Sequence, residues 1–260
     1  MSSSKESFSK TLIFVFIICL VCAALVSIAA VGLKPLQQAN KLLDKQTKIL
    51  EASGLLEKAG TNIVSTYNQF VVAKMIDLDS GAIIEDASDL EINMFDERSA
   101  ARDVENSSKL VNDTAGINRR ADRSVVYLVN DEQGQLTTLV FPIIGSGLWD
   151  LMYGFVGLAP DLNTVRSVIY SDLKETPGLG AEVLNPKWKD LWPGKEMYND
   201  SNNVAIKIVK GGAKQGDIHG VDALSGATLT SNGVENTLHF WFGEQGFGPF
   251  ITKYRNGGLQ

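Results

Sequence analysis

Val125-Val126-Tyr127-Leu128-Val129, then Asp131-Glu132-Gln133-Gly134, then the run Leu136-Thr137-Thr138-Leu139-Val140-Phe141-Pro142-Ile143-Ile144 decide the fold. Two runs rich in β-branched and aromatic residues, separated by an acidic segment that ends on glycine, predict two β-strands joined by a turn. Further strands are expected at residues 151–158, 164–170 and 204–209. Strands that follow one another with little helix between them favour antiparallel pairing, and the helical patterns lie at the two ends of the segment. The fold class is α+β, with a mainly antiparallel sheet flanked by helices.

Upstream, residues 35–56 carry a helical pattern, with Leu36, Leu43, Ile49 and Leu50 as candidate contacts and Gly54 near the end. Residues 11–33 contain no charged side chain. As a helix they reach about 34 Å, enough for a hydrocarbon core of about 30 Å. The basic start at Lys5 and Lys10 and the small residues Ser27 and Ala29 also fit a cleaved signal peptide. The apolar run exceeds the roughly 7–15 residues of a signal core, which favours a retained anchor. The expected organisation is an N-terminal tail over 1–10, a transmembrane helix over 11–33 and one domain over 34–260.

The chain is 44% hydrophobic with a net charge of −6, so the domain can bury a substantial core, and nothing in the composition points to nucleic acid. Both cysteines, Cys19 and Cys22, fall in the apolar run, leaving the domain free of thiols, as an oxidising compartment permits. With only His219 and His239 besides, iron–sulfur ligation is not expected in the domain, and no metal site is assigned. Both histidines are expected to be structural. Gly178-Leu179-Gly180 lacks the third glycine and the strand-to-helix setting of a dinucleotide fingerprint, so the chain is not expected to bind NADH itself. Ten acidic residues against Arg98 and Arg102 between Asp77 and Glu105 fit a solvated, loop-rich surface, or else a docking face for a basic partner or a surface that attracts cations.

Near the C-terminus stands Asp222-Ala223-Leu224-Ser225-Gly226-Ala227-Thr228. Small residues around a threonine let the backbone approach a bulky group, and glycine permits the positive φ that turns N–H groups toward an anion. Asn232 followed by Glu235 predicts a helix N-cap with its reciprocal partner, and Val234, Leu238, Trp241 and Phe242 an apolar helix face. Thr228 then lies about one turn before a helix start, where N–H groups and the helix dipole favour negative charge. A plain small-residue loop leading into a capped helix fits the same residues.

The run Asp222-x-x-Ser225-Gly226-Ala227-Thr228 resembles the flavinylation motif of the FMN-binding domain family. Gly147-Leu148-Trp149-Asp150-Leu151-Met152-Tyr153-Gly154 and Glu175-Thr176-Pro177-Gly178-Leu179-Gly180-Ala181-Glu182 are similar to the branch of that family found in sodium-translocating NADH:quinone reductases. The resemblance implies FMN attached to Thr228 through a phosphoester bond made by a dedicated flavin transferase that takes FMN from FAD. It implies flavin contacts from Asp222, Ser225, Gly226, Ala227, Trp149, Leu148, Glu175, Thr176, Gly178 and Leu179. In this segment the glycines let the backbone pass close to a flat ring, Leu179 offers apolar cover and Thr176 a hydroxyl. No residue is expected to be catalytic, because chemistry resides in the cofactor and overall turnover belongs to an assembly. The expected partners are the other subunits of a sodium-pumping NADH:quinone reductase complex. A flavoprotein subunit of a ferredoxin:NAD oxidoreductase complex, or a solitary anchored flavin-binding or sensory module, are the alternatives. A count of flanking lysines puts the domain in the cytoplasm. The resemblance implies the outer, periplasmic side of the bacterial cytoplasmic membrane, which is the expectation adopted.

Overall fold

The computed structural model describes residues 8–255; the first seven residues of the expected tail lie outside the described residues. Helix α1, Phe8–Ala52, runs without interruption through the uncharged stretch and through the segment expected as a separate helix, with Pro35 inside it. It is long and apolar enough to cross a membrane by length and composition. Residues 8–44 are exposed, Leu36 and Leu43 among them, whereas Gln46, Ile49, Leu50 and Ala52 are buried. The chain divides into two units, Met1–Lys45 and Gln46–Gln260. At the C-terminus of α1, Gly54 takes a φ of 77°, and the Leu55 N–H reaches back five residues to the Leu50 carbonyl at 2.8 Å. This is the glycine-dependent closure that ends many helices.

In the second unit, α2 (Leu56–Ala59) and α3 (Ile63–Phe70) lead into β1 (Val71–Asp77), and α4 (Asp89–Met94) and α5 (Glu97–Arg102) into β2 (Ser107–Lys109) and β3 (Arg119–Ala121). Then come β4 (Arg123–Asn130), β5 (Leu136–Ser146), β6 (Leu151–Leu158) and β7 (Val165–Asp172), a 3-10 turn over Gly180–Leu184, and α6 (Pro186–Lys189). Strands β8 (Lys207–Val209) and β9 (Gly220–Asp222) and helices α7 (Thr228–Trp241) and α8 (Gly248–Tyr254) complete it. The main sheet has the order β1-β4-β5-β6-β7, antiparallel throughout, while β8 and β9 pair in parallel.

The expected hairpin is β4–β5. Its turn is closed by the Asp131 carboxylate, which accepts the N–H groups of Gln133 at 2.9 Å and Gln135 at 2.8 Å, with Gly134 at a φ of 76°. Strand β5 is buried on both faces, which explains its near-continuous apolar run. Leu139, Phe141 and Ile143 join one core, beneath α7 and α8. Val140 joins the other, with Ile49 and Leu50 of α1 and Tyr67 and Phe70 of α3. Phe141 anchors the first core, 5.0 Å from the ring of Phe247 and 5.6 Å from that of Phe242.

Strand β1 is not evident in the sequence, because α3 passes into it without a glycine, proline or other turn residue between them. The acidic stretch forms turns and helix starts. Ser88 caps α4 through the Glu91 N–H at 3.2 Å, Asp96 caps α5, and Asp77 holds the turn at Ser80. Asp79 forms an ion pair with the buried Arg120 guanidinium.

Candidate functional site

Strand β9 ends at Asp222, whose carboxylate accepts the Ala213 N–H at 2.7 Å and whose carbonyl accepts the Trp188 indole N–H at 2.9 Å. These bonds hold the entry to the motif. The chain then turns tightly: the Ala227 N–H meets the Leu224 carbonyl at 3.3 Å, with Gly226 at a φ of 72°. A side chain at Gly226 would be strained by that φ and would stand 3.1 Å from Leu179 Cδ2. The Ser231 hydroxyl accepts the Leu224 N–H at 3.0 Å and fixes the turn against the helix behind it.

Helix α7 starts at Thr228, earlier than the sequence predicts. Asn232 lies within the helix rather than at its cap, and the Glu235 carboxylate accepts the Ile208 N–H of β8 at 2.5 Å instead of closing a capping box. The glycine turn supplies the helix start, so no polar cap is needed. Ala227 occupies the cap position and offers no side-chain acceptor. The first N–H groups of this 14-residue helix have no intrahelical partner, and the cap residue supplies none, so among the described residues the positive end of its dipole has no side-chain cap. Thr228 is exposed at that end, as are Ser225 and Gly226 before it, while Ala227 is buried.

Glu175 ties this region to the loop after β5. The residue is only 6% exposed. Oε1 accepts the N–H groups of Leu148 at 2.8 Å and Trp149 at 3.1 Å, and Oε2 accepts the Thr230 hydroxyl at 2.5 Å. A buried carboxylate needs such donors, because each unsatisfied lone pair in a dry site is costly. Gly147 and Gly180 make room for it: a methyl group on Gly180 would lie 2.6 Å from Thr230 Oγ1 and overlap the carboxylate. Outside this buried centre, Leu148, Trp149 and Leu179 are 48%, 68% and 43% exposed. The Trp149 indole N–H donates to the Thr176 hydroxyl at 3.2 Å. Beside Trp149, Asp150 pairs with Lys174, and that hydrogen bond holds the Asp150 carboxyl below its usual range.

The sequence-predicted residues thus fall into two groups joined through Thr230–Glu175 and Leu179–Gly226. Asp222 is committed to the fold of its own loop. Gly178 takes a φ of 77° in an exposed turn with no atom close to it, so its glycine serves backbone conformation rather than close approach. Thr230, Ser231 and Trp188 were not anticipated. Their partners are 55, 7 and 34 residues away, a separation that leaves no local signal. His219 and His239 bind the backbone carbonyls of Glu196 and Ile206 at 2.8 and 2.7 Å.

Residues 147–243 match the model of the FMN-binding domain. This interval opens at Gly147, beside the buried Glu175 carboxylate, and closes just past the C-terminus of α7. The chain is 46% identical over 261 residues to NqrC of Vibrio alginolyticus, a subunit of the Na(+)-translocating NADH-quinone reductase, covering 100% of both chains. It is 46% identical to the corresponding protein of Yersinia pestis, covering 99% of this chain and 97% of that one. Among solved structures, NqrC of Shewanella oneidensis superposes with a TM-score of 0.80 at 40% identity, covering 84% of this chain and all (100%) of that chain. The corresponding protein of Parabacteroides distasonis does so with a TM-score of 0.67 at 26% identity, covering 85% of this chain and 97% of that one.

Proposed function

Since the chain belongs to the NqrC family of Na(+)-translocating NADH-quinone reductases, we propose that it is a membrane-anchored electron-transfer flavoprotein with FMN held covalently on Thr228. When bound, the flavin supplies transfer of electrons one or two at a time, and the protein sets its reach and surroundings.

The observation that carries this reading is an exposed threonine hydroxyl on the first residue of a long helix with an uncapped, electropositive start. A phosphoester on Thr228 keeps one negative charge beside those N–H groups, an interaction of about 0.3–1 kcal/mol near the surface. Leu148, Trp149 and Leu179 supply apolar surface for one flat ring, and a concentrated exposed apolar patch is the expected form of a cofactor site. The Thr176 hydroxyl lies at the edge of that patch, bound to Trp149. Glu175 acts beneath the surface, where it holds the Leu148–Trp149 backbone and Thr230 in register.

Attachment requires loss of the Thr228 proton as its oxygen displaces AMP from FAD. Among the described residues no carboxylate or imidazole hydrogen-bonds the Thr228 hydroxyl, and such a hydroxyl is a weak nucleophile without a base. A separate flavin transferase therefore supplies that chemistry in this reading. Helix α1 serves as the anchor, with the domain outside the cytoplasm, where a dissociable flavin would be lost by dilution. The partners are the other subunits of the quinone reductase.

The test is mass spectrometry of the mature chain, together with in-gel fluorescence. The wild type should exceed its sequence mass by one FMN less one water and keep a fluorescent band after denaturing electrophoresis. Thr228→Val replaces the hydroxyl by a methyl of similar shape, so it should lose the band and retain the fold. Covalent flavin persisting in that variant would move the linkage elsewhere.

A further inference from the structure

A second site lies at the other end of α7. A cavity of about 370 Å³ opens between α5, β3, the strands β4 to β6 and the C-terminus of α7. Thr228 and Trp241 are the two ends of that helix, so about 20 Å of helix separates the cavity from the motif threonine.

Its lining is unusual in charge. Arg98, Arg102, Arg119, Arg120 and Arg123 all border it, and Glu97 is the one carboxylate that does. Arg98, Arg120 and Arg123 are drawn to Asp172, Asp79 and Glu91, none of which lines the cavity. Among the described residues, Arg102 and Arg119 form no ion pair; Arg119 is held by the Ser107 hydroxyl at 2.9 Å and by backbone carbonyls.

Two buried donors there are left over. Arg120 is 4% exposed; its terminal nitrogens bind Asp79 and the Gln245 carbonyl, but among the described residues its Nε–H has no partner. Ser124 is 1% exposed and its hydroxyl likewise has no partner among the described residues. Native interiors rarely leave such groups unbonded; a water, an ion or a ligand takes them. Asn118 and the Glu97 carboxylate are the other polar groups of the lining; the apolar part is carried by Ile144, Leu151, Trp241 and the Tyr153 ring, over which the Arg98 guanidinium stacks at 3.4 Å from the centroid.

We propose that this arginine-lined cavity binds a small organic anion, one oxyanion group on a flat apolar body, at a site separate from the Thr228 region. The oxyanion takes the Arg120 Nε–H and Ser124 hydroxyl with Arg102 and Arg119 at the rim, since guanidinium forks match carboxylate and phosphate geometry. The body packs on Tyr153 and Trp241. The volume lies in the range of small-molecule sites, about 300–1,000 Å³.

The experiment is isothermal titration of the purified full-length flavin-loaded chain in detergent, in a phosphate-free buffer, with phenyl phosphate, benzoate and phenol. Saturable one-to-one binding of phenyl phosphate or benzoate is expected, with phenol about tenfold or more weaker, and the better of the two anions identifies the head group. The double variant Arg102→Gln/Arg119→Gln should weaken binding about tenfold while leaving covalent flavin content unchanged. Ala101→Phe, on the cavity wall, should block binding by filling space rather than by removing charge. Absence of saturable anion binding, equal affinity for phenol, or wild-type affinity in both variants would overturn the proposal.

Discussion

Gly180 has no room for a methyl group, because the Glu175 carboxylate and the Thr230 hydroxyl occupy the space where one would stand. Gly180→Ala is therefore expected to displace the carboxylate and to cost about 1–3 kcal/mol, typical of overpacking a tight site. At about 2–4 °C per kcal/mol for a unit of this size, thermal unfolding should shift down by several degrees. Glu175 itself separates geometry from charge. In Glu175→Gln the amide oxygen can still accept from Leu148 and Trp149 and the amide nitrogen can donate to Thr230, so the fold should persist. Glu175→Ala strands three donors and should destabilise by more than Gly180→Ala. Equal melting temperatures for Glu175→Ala and Glu175→Gln, measured by circular dichroism, would show that these bonds do not hold the loops.

Among the elements, the C-terminal turn of α1 is joined to α6 by one carboxylate. Glu51 pairs with Lys189 at 2.6 Å and Lys48 at 2.8 Å, with its side chain 19% exposed. Burial alone would raise its pKa; the hydrogen bonds and charges of Lys189 and Lys48 outweigh burial and hold it below 4.5. A depressed carboxylate pKa contributes stability that is present above the unfolded-state value and is lost as pH falls through the folded-state value. Glu51→Gln should thus lower the unfolding temperature at pH 7, by a destabilisation of about 1 kcal/mol. The difference from wild type should shrink as pH falls below about 4.5. A difference that persists unchanged at pH 3 would assign the effect to packing of the side chain, not to its charge. The same scale explains why α7 starts five residues before the position its sequence suggests. A polar residue followed three positions later by glutamate is a local signal, but Glu235 is captured by the backbone of β8, a partner 27 residues away.

For the whole molecule, the anchor proposed for α1 raises the question of which side of a membrane the domain would occupy. Four lysines, Lys34, Lys41, Lys45 and Lys48, follow the uncharged run. Charge counts orient short loops, whereas long folded domains translocate largely regardless of charge. All four lie within α1, and Lys48 is committed to Glu51, so they are poor markers of orientation. Protease added to spheroplasts is expected to digest the domain and to leave a membrane-protected N-terminal fragment. Protection in intact spheroplasts, with digestion only after lysis, would place the domain in the cytoplasm and favour the lysine count.

What the sequence determined by itself is whatever depends on neighbours along the chain. The β4–β5 hairpin was legible because runs of β-branched and aromatic residues around an Asp-to-Gly turn are local signals, and the apolar run of α1 because length and lack of charge suffice. The motif around Thr228 was legible as a pattern of small residues leading to a threonine. Tertiary structure alone decided the rest: the placement of β1 beside β4, the start of α7, the carboxylate of Glu175 between two loops, and the gathering of five arginines around one cavity. Each of these depends on burying a polar group or an edge against residues far along the chain. A buried donor or acceptor must be satisfied wherever a partner can be found, and only the folded chain brings that partner within about 3 Å.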